Sequence, residues 1–211
     1  MELIIGTRKW SSWSLRPWLV MKHLGLDFTE TLVTLRQAEG VTRQEILVHS
    51  PSGQVPALKV DGMVVTDSLA ICLYLAHTYP QARLLPDDKV LRALGLSAMA
   101  EMHAGFMDLR RDCAMYLEIE PRKAELSEAV EANVRRIVDI WLDLLTRSSG
   151  PYLLGSWSLV DAFYTPVATR IRTWQIDLAQ YGDDGRAAQY AERLLADPHF
   201  LEWEAEAKRE V

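Results

Sequence analysis

The pattern of apolar residues changes once along this chain, and that change constrains the fold more than any other feature. Up to Pro80, short β-prone runs alternate with helical ones. Beyond the polar, proline-bearing stretch QARLLPDDK, every periodic segment is helical. Residues 2–5 (ELII), ahead of Gly6, read as a first strand. The run LRPWLVMKHLGL places Leu15, Trp18, Leu19 and Met21 on one helical face, with Ser14 expected as N-cap, Pro17 in the first turn and Gly25 at the C-terminal end. Residues 28–35 read as a second strand, followed by a short helix around Arg43–Val48. SPSGQVPALKVDGMVVTDS reads as loop, strand, Asp61-Gly62 turn and strand, and residues 67–79 as an apolar-faced helix. The order βαβαββα gives a mixed sheet with crossover helices.

After the linker, residues 89–116 are expected to form one long helix and residues 124–147 a second, with Val130, Val134, Ile137, Val138, Trp141 and Leu145 on one face. Ser158 opens a third, and at least one more runs near Gly185–Leu195. Two domains are therefore expected, an α/β unit over residues 1–80 and an all-α helical bundle over 89–211, joined by 81–88.

At 211 residues the chain can bury a core without disulfides. Cys72 and Cys113 form no CxxC pair and no Cys/His cluster with metal-ligand spacing, so no metal is expected. Cys72 lies in an apolar run and reads as a core residue in a reducing compartment. Net charge is −6 with scattered Lys and Arg, which argues against a nucleic-acid surface. No apolar run approaches a membrane span, and the N-terminal one is too short for a signal peptide. A cytoplasmic protein with no membrane contact is the expectation.

Three segments carry chemistry, and each also has a plain structural reading. Pro56 in SPSGQVPAL either starts an edge strand or follows a cis bond. A cis Val55–Pro56 bond would turn the Val55 backbone outward to pair with an extended peptide. Asp67-Ser68 either caps a helix or forms a head-group site, with free N–H groups and the Ser68 hydroxyl for a carboxylate and Asp67 for an ammonium. The serines of Ser11-Ser12-Trp13-Ser14 are either loop and cap residues or donors to a thiolate at a helix N-terminus. A free thiol near pKa ~8.5 shifted by ~2 units would be mostly ionised at neutral pH, at a differential stabilisation of ~2.7 kcal/mol.

The order of these segments resembles that of the glutathione transferase superfamily over nearly the whole chain. SSWSLR is similar to the Ser-Ser-Cys-x-x-Arg loop of serine-type, zeta-like members: Ser11, Ser12 and Arg16 match, and Trp13 stands in place of the cysteine. SPSGQVPAL resembles NPxGxVPxL, and DSLAICLYL resembles ESxAIxxYL with Asp67 for the Glu. GSWSLVDAF resembles the family's N-capping box, with Ser158 and Asp161 as its polar pair, and AEMHAGFMDLR is similar to a segment of a bacterial subgroup.

The resemblance implies a thioredoxin-like N-terminal domain carrying a glutathione site, an all-α C-terminal domain carrying an electrophile site, and a homodimer. Gln54, Val55, Pro56, Asp67 and Ser68 would bind glutathione as co-substrate, with no metal. Ser11, with Ser12 close behind, would stabilise the thiolate. Trp10, Trp13, Met102, Phe106 and Met115 would line the pocket of a hydrophobic electrophile. Arg110, seven residues from His103 on one side of a helix, would draw carboxylates to the cleft. The implied activity is transfer of glutathione to an electrophile, with detoxification as its setting. SSxSxR also suggests an isomerase of maleylacetoacetate type, made less favoured by Trp13. A non-catalytic binding protein that keeps the fold is the third possibility.

Overall fold

The computed structural model describes residues 1–210. Four strands, β1 (Glu2–Gly6), β2 (Thr29–Val33), β3 (Ala57–Val60) and β4 (Met63–Val65), form one sheet in the order β2-β1-β3-β4. β1 and β2 run parallel, while β3 is antiparallel to β1 and to β4. The β3–β4 hairpin turns at Asp61-Gly62, both with positive φ (49° and 77°), as a two-residue turn of this hand requires.

Side chains of a strand alternate between faces, and here each face has its own helices. Leu3 and Ile5 of β1 with Leu58 and Val60 of β3 face α1 (Ser12–His23) and α3 (Ser68–Thr78). Ile4 points the other way, with Val33, Ala57 and Ile46 of α2 (Val41–His49).

Beyond Val65 no strand joins the sheet among the described residues. The second half consists of α4 (Lys89–Ala104), α5 (Met107–Asp112), α6 (Glu128–Ser148), α7 (Leu159–Thr173), α8 (Arg186–Leu195) and α9 (Pro198–Arg209). The segment between the halves is anchored at both ends: Leu159 N donates to Leu84 O at 3.0 Å, and Asp88 accepts from Leu91 N at 2.7 Å as N-cap of α4. One apolar cluster runs from Leu3 to Ala207, so the two halves share a core. At its centre α7 is buried along almost its whole length, packing on α1, α4 and α8.

Three sequence expectations are corrected. The expected helix over 89–116 is broken at Gly105, whose N–H closes on Glu101 O, and Phe106 follows at φ 57°. A Cβ on Gly105 would meet Glu101 O at 2.7 Å. Arg110 donates to the freed carbonyls of Met102 and His103, so the break is capped rather than frayed. Second, Ser11 and not Ser14 is the N-cap of α1, so the helix begins earlier than expected. Third, Pro17 therefore lies in the second turn, where it removes the N–H that the Trp13 carbonyl would accept.

Candidate functional site

A cavity of about 780 Å³ opens where the starts of α1 and α3 meet α4 and the loop before β3. Its wall includes Trp13, Gln54, Val55, Pro56, Asp67, Ser68 and His103, with Ser52, Gly53 and Thr66 beside them. Two segments that sequence reading singled out separately, SGQVP and DS, thus face one space.

The first segment is shaped by its own hydroxyls. Ser50 and Ser52 pair at 2.9 Å, and Ser52 Oγ accepts from Gln54 N at 3.1 Å. Gly53 takes φ 64°, a left-handed conformation that favours glycine, with the end of the Arg43 side chain packed over it. Val55–Pro56 is cis, as the sequence suggested, and Thr66–Asp67 is cis as well. Neither the N–H nor the C=O of Val55 has a partner among the described residues.

Asp67 caps its helix and also lines the cavity. Its Oδ1 accepts from Leu69 N (2.9 Å) and Ala70 N (3.3 Å) as N-cap of α3, while its side chain remains half exposed to the cavity. Next to it Ser68 is fully buried, and its Oγ has no hydrogen-bond partner.

A relay joins this carboxylate to the interior. His103 Nε2 lies 3.0 Å from Asp67 Oδ2, and Arg16 Nη1 lies 3.5 Å from His103 Nδ1. A guanidinium only donates, so Nδ1 accepts and Nε2 carries the hydrogen given to Asp67. Burial pushes the His103 imidazole below its ordinary value; Asp67 opposes this, and Arg16 adds to it. At neutral pH the contact is a neutral imidazole donating to a carboxylate.

Behind Trp13 lie three guanidinium groups with no carboxylate at ion-pair distance among the described residues. Arg16 stacks 4.3 Å from the Trp13 ring and 4.6 Å from that of Phe163, and Arg110 lies 4.6 Å from Trp13. Arg170, on α7, reaches Ser12 Oγ at 3.3 Å. Burial lowers all three, Arg170 to about 9; Arg16 is also repelled by Arg110 and Arg170. Buried cations without counter-charges are costly, so this corner is electropositive within a chain of net charge −6.

The serines divide their roles. Ser11 Oγ accepts from Ser14 N (3.3 Å) and donates to Ser14 Oγ (2.7 Å), which also accepts from Gly6 N (3.1 Å). Ser11 and Ser12 are both buried at the start of α1, beside Trp13 rather than on the cavity wall itself.

Of the expected electrophile-pocket residues, only Trp13 reaches this cavity. Met102, Phe106 and Met115 are core residues. Trp10, in the loop after β1, lies under Arg36 and donates at 2.7 Å to Oε1 of Glu118 on the segment that follows α5. Arg110 caps α4, as described above, instead of facing the cavity. Sequence reading missed Arg170. Its signal was a charge in phase with Phe163, Pro166 and Val167 on one helical face. Among the described residues no group of three or more His, Cys, Asp or Glu could hold a metal ion.

Comparison with known proteins gives these features a context. Residues 10–78 match the family model described as glutathione S-transferase, N-terminal domain. The chain is 30% identical over 184 residues to glutathione S-transferase 1 of Dianthus caryophyllus, covering 86% of this chain and 82% of that protein. It is 27% identical over 172 residues to maleylacetoacetate isomerase of Mus musculus, covering 81% and 77%. A glutathione transferase homolog from Burkholderia gl BGR1, solved with bound glutathione, superposes with a TM-score of 0.74 at 24% identity, covering 99% of this chain and 98% of that one. A diazinon-metabolizing glutathione S-transferase of the silkworm Bombyx mori superposes with a TM-score of 0.75 at 18% identity, covering 99% and 97%. At these identities the two structures speak to the fold.

Proposed function

The chain belongs to the glutathione S-transferase family, and from that premise we propose that the cavity between α1, α3 and α4 binds glutathione and ionises its thiol for attack on an electrophilic small molecule. One observation carries the reading: Ser68, fully buried at the start of α3, holds a hydroxyl with no protein partner on the wall of a cavity that Asp67 shares. A buried hydroxyl without a partner carries a desolvation cost, and a ligand oxygen there would relieve it.

Glutathione fits the donors and acceptors present. Its α-ammonium pairs with Asp67, and its α-carboxylate takes the Ser68 hydroxyl and the N-terminal field of α3. Its cysteinyl amide pairs with the unpartnered Val55 backbone, beside Gln54 and Pro56. The sulfur then lies toward the start of α1. The thiol proton leaves to solvent, the sulfur bonds to the electrophilic carbon, and either a leaving group departs or a double bond takes up a proton. Titration calorimetry with glutathione tests the site: binding that Asp67→Asn or Ser68→Ala weakens supports it, and no binding by the native chain refutes it.

A second reading, glutathione-dependent isomerisation of the maleylacetoacetate type, draws support from the arginines behind Trp13. The buried Arg16 and Arg170 and the partly buried Arg110 give that side of the cavity a positive field without counter-ions, which suits an electrophile bearing carboxylates. In that chemistry the thiolate adds to a cis double bond, the bond rotates, and elimination returns glutathione. A panel of an aryl halide, a peroxide and a maleylacetone-like diene separates the two, since transfer consumes glutathione in proportion to product and isomerisation does not.

The reading extends to a homodimer. Met63 and Val64 on β4, Leu73 on α3 and Val90 on α4 are exposed apolar side chains suited to burial against a second copy. A monomeric mass by analytical ultracentrifugation at micromolar concentration would refute it. Cys72 and Cys113 are free and buried, which suits a reducing, cytoplasmic setting.

A further inference from the structure

Trp13 belongs to two neighbourhoods at once. It lines the cavity, together with His103, whose ring it meets edge-on at 5.1 Å. On its other side the indole carries two guanidinium groups, Arg16 at 4.3 Å and Arg110 at 4.6 Å from the ring centre. Neither arginine lines the cavity itself. The ring therefore stands between the cavity and the forks of both.

What the ring covers is an unmet demand for an anion. Arg16 is only 1% exposed, and the groups packed on it are aromatic: Trp13, and Phe163 at 4.6 Å. The face of an aromatic ring attracts a cation, an indole most strongly, but it replaces only part of the hydration that a buried charge loses. The Nε atoms of Arg16 and Arg110 are buried and have no partner. A carboxylate is the group that such forks hold best, through two parallel hydrogen bonds. A carboxylate entering from the cavity meets the indole first, and pressing a charged group against an apolar ring strips its water without repayment.

We propose that Trp13 determines specificity as a partition: it keeps carboxylate-bearing electrophiles from the forks of Arg16 and Arg110, and so turns the native chain toward electrophiles without a carboxylate. The proposal rests on the cavity being the glutathione site, and of the two readings of that site it favours transfer to a neutral molecule. With an α,β-unsaturated ketone as electrophile, the thiolate sulfur bonds to the β-carbon, the α-carbon takes up a proton from water, and nothing leaves. Trp13 takes no part in those steps. It sets which molecules come close enough to undergo them.

The test uses one α,β-unsaturated ketone in two forms, the free carboxylic acid and its methyl ester. Glutathione consumption gives kcat/KM for each, and the acid-to-ester ratio is the readout, so any loss common to both forms cancels. The native chain is expected to show no preference for the acid. Trp13→Ala, which uncovers the two forks, is expected to raise the ratio by about 10–100-fold, the range for a charge-assisted hydrogen bond. Trp13→Phe keeps a ring over the guanidinium groups and should leave the ratio within about 3-fold of native. A thermal melt reports whether each variant folds, and Trp13→Leu, which fills the space without an aromatic face, takes the place of Trp13→Ala should that variant unfold. A native preference for the acid of about 10-fold or more would overturn the proposal, because it would mean that the carboxylate already reaches a fork. So would an unmoved ratio in a folded Trp13→Ala or Trp13→Leu, an equal rise in Trp13→Phe, or turnover of neither form by a native chain that binds glutathione. Failure of the native chain to bind glutathione by calorimetry would instead overturn the wider reading of the cavity, and this proposal with it.

Discussion

Two of the aspartates at helix starts, Asp161 and Asp67, have surroundings that differ in a way that separates a saturated carboxylate from an open one. Asp161, at the start of α7, is wholly buried, and each oxygen is engaged. Oδ2 accepts from Ser158 N (2.8 Å) and Ser158 Oγ (2.7 Å), and Oδ1 from Tyr190 OH (2.7 Å) and Leu153 N (3.4 Å). Asp67, at the start of α3, spends Oδ1 on its helix and leaves Oδ2 to His103 at the edge of a cavity. The adjoining serines differ likewise: Ser158 Oγ is paired with Asp161, whereas Ser68 Oγ is buried and unpaired. A saturated cap holds the fold together. A cap with an open lobe and an unpaired neighbour is poised for a ligand.

The sharpest way to break this contrast is to remove each carboxylate. Asp161→Ala should cost about 3–4 kcal/mol in urea or thermal unfolding, because four donors lose their acceptor in a dry site. The pH dependence identifies the same group. Burial raises its carboxyl to about 6 despite the hydrogen bonds that oppose the shift. The folded chain therefore holds that proton more tightly than the unfolded one between about pH 4 and 6. Stability from this group falls as pH rises through that window, and the full cost of burying the charge is present above it. Asp161→Asn should flatten that slope; an unchanged slope would contradict the assignment.

Asp67→Asn should do the opposite. Asparagine caps a helix as well as aspartate does, so stability should stay within about 0.5 kcal/mol. Loss of the charge should weaken glutathione binding by about 10–100-fold, the range for a charge-assisted hydrogen bond. A large stability loss with unchanged affinity would make Asp67 a second Asp161.

How much of this contrast was legible in the sequence follows from the range of each interaction. Caps, turns and strand order are local, so βαβαββα, the Asp61-Gly62 turn, the Val55–Pro56 site and the Ser158–Asp161 pair could all be read along the chain. The helix break at Gly105 was missed because glycine inside an apolar period resembles a tolerated interruption. What decides the matter is Arg110 reaching back to the freed carbonyls. Which serine caps α1 was misread because Ser11, Ser12 and Ser14 are locally equivalent. Gly6 N, from β1, occupies Ser14 Oγ and leaves the cap to Ser11. Arg170 and Ser12 are far apart in sequence, so no local pattern pairs them.

A finer comparison uses the two serines. Ser158→Ala removes a paired hydroxyl and should cost about 1–2 kcal/mol of stability. Ser68→Ala removes an unpaired buried one and should leave the ligand-free chain as stable as before or slightly more so, since an unsatisfied donor disappears. The effect should emerge on binding, as glutathione affinity about 10-fold weaker by calorimetry, the low end for a hydrogen bond to a carboxylate. Destabilisation of the free chain by Ser68→Ala would mean that the hydroxyl already has a partner and that the two helix starts are alike.

The smallest expected effect is the pH response of the open cap, and its sign follows from the His103 relay. Neutral His103 gives the Nε2 hydrogen to Asp67 and accepts at Nδ1 from Arg16. Protonation places a hydrogen on Nδ1, facing another donor, and adds positive charge beside Arg16. Burial acts in the same direction, so the folded-state pKa lies below the ordinary value of 6.5. A base with a depressed pKa gives the fold its full contribution above the unfolded value and loses it as pH falls below. The same protonation turns the Asp67 contact into an ion pair, which competes with the ligand's ammonium for Oδ2. Affinity for S-methylglutathione, whose blocked sulfur does not titrate, should therefore be flat above about pH 6.5 and fall by no more than about 3-fold toward pH 5, because Asp67 is half exposed and water screens the competition. In His103→Gln the amide can still donate to Asp67 but does not titrate, and the profile should be level throughout. Affinity that rises as pH falls, or a slope that survives in His103→Gln, would detach His103 from the ligand and leave Asp67 acting on its own.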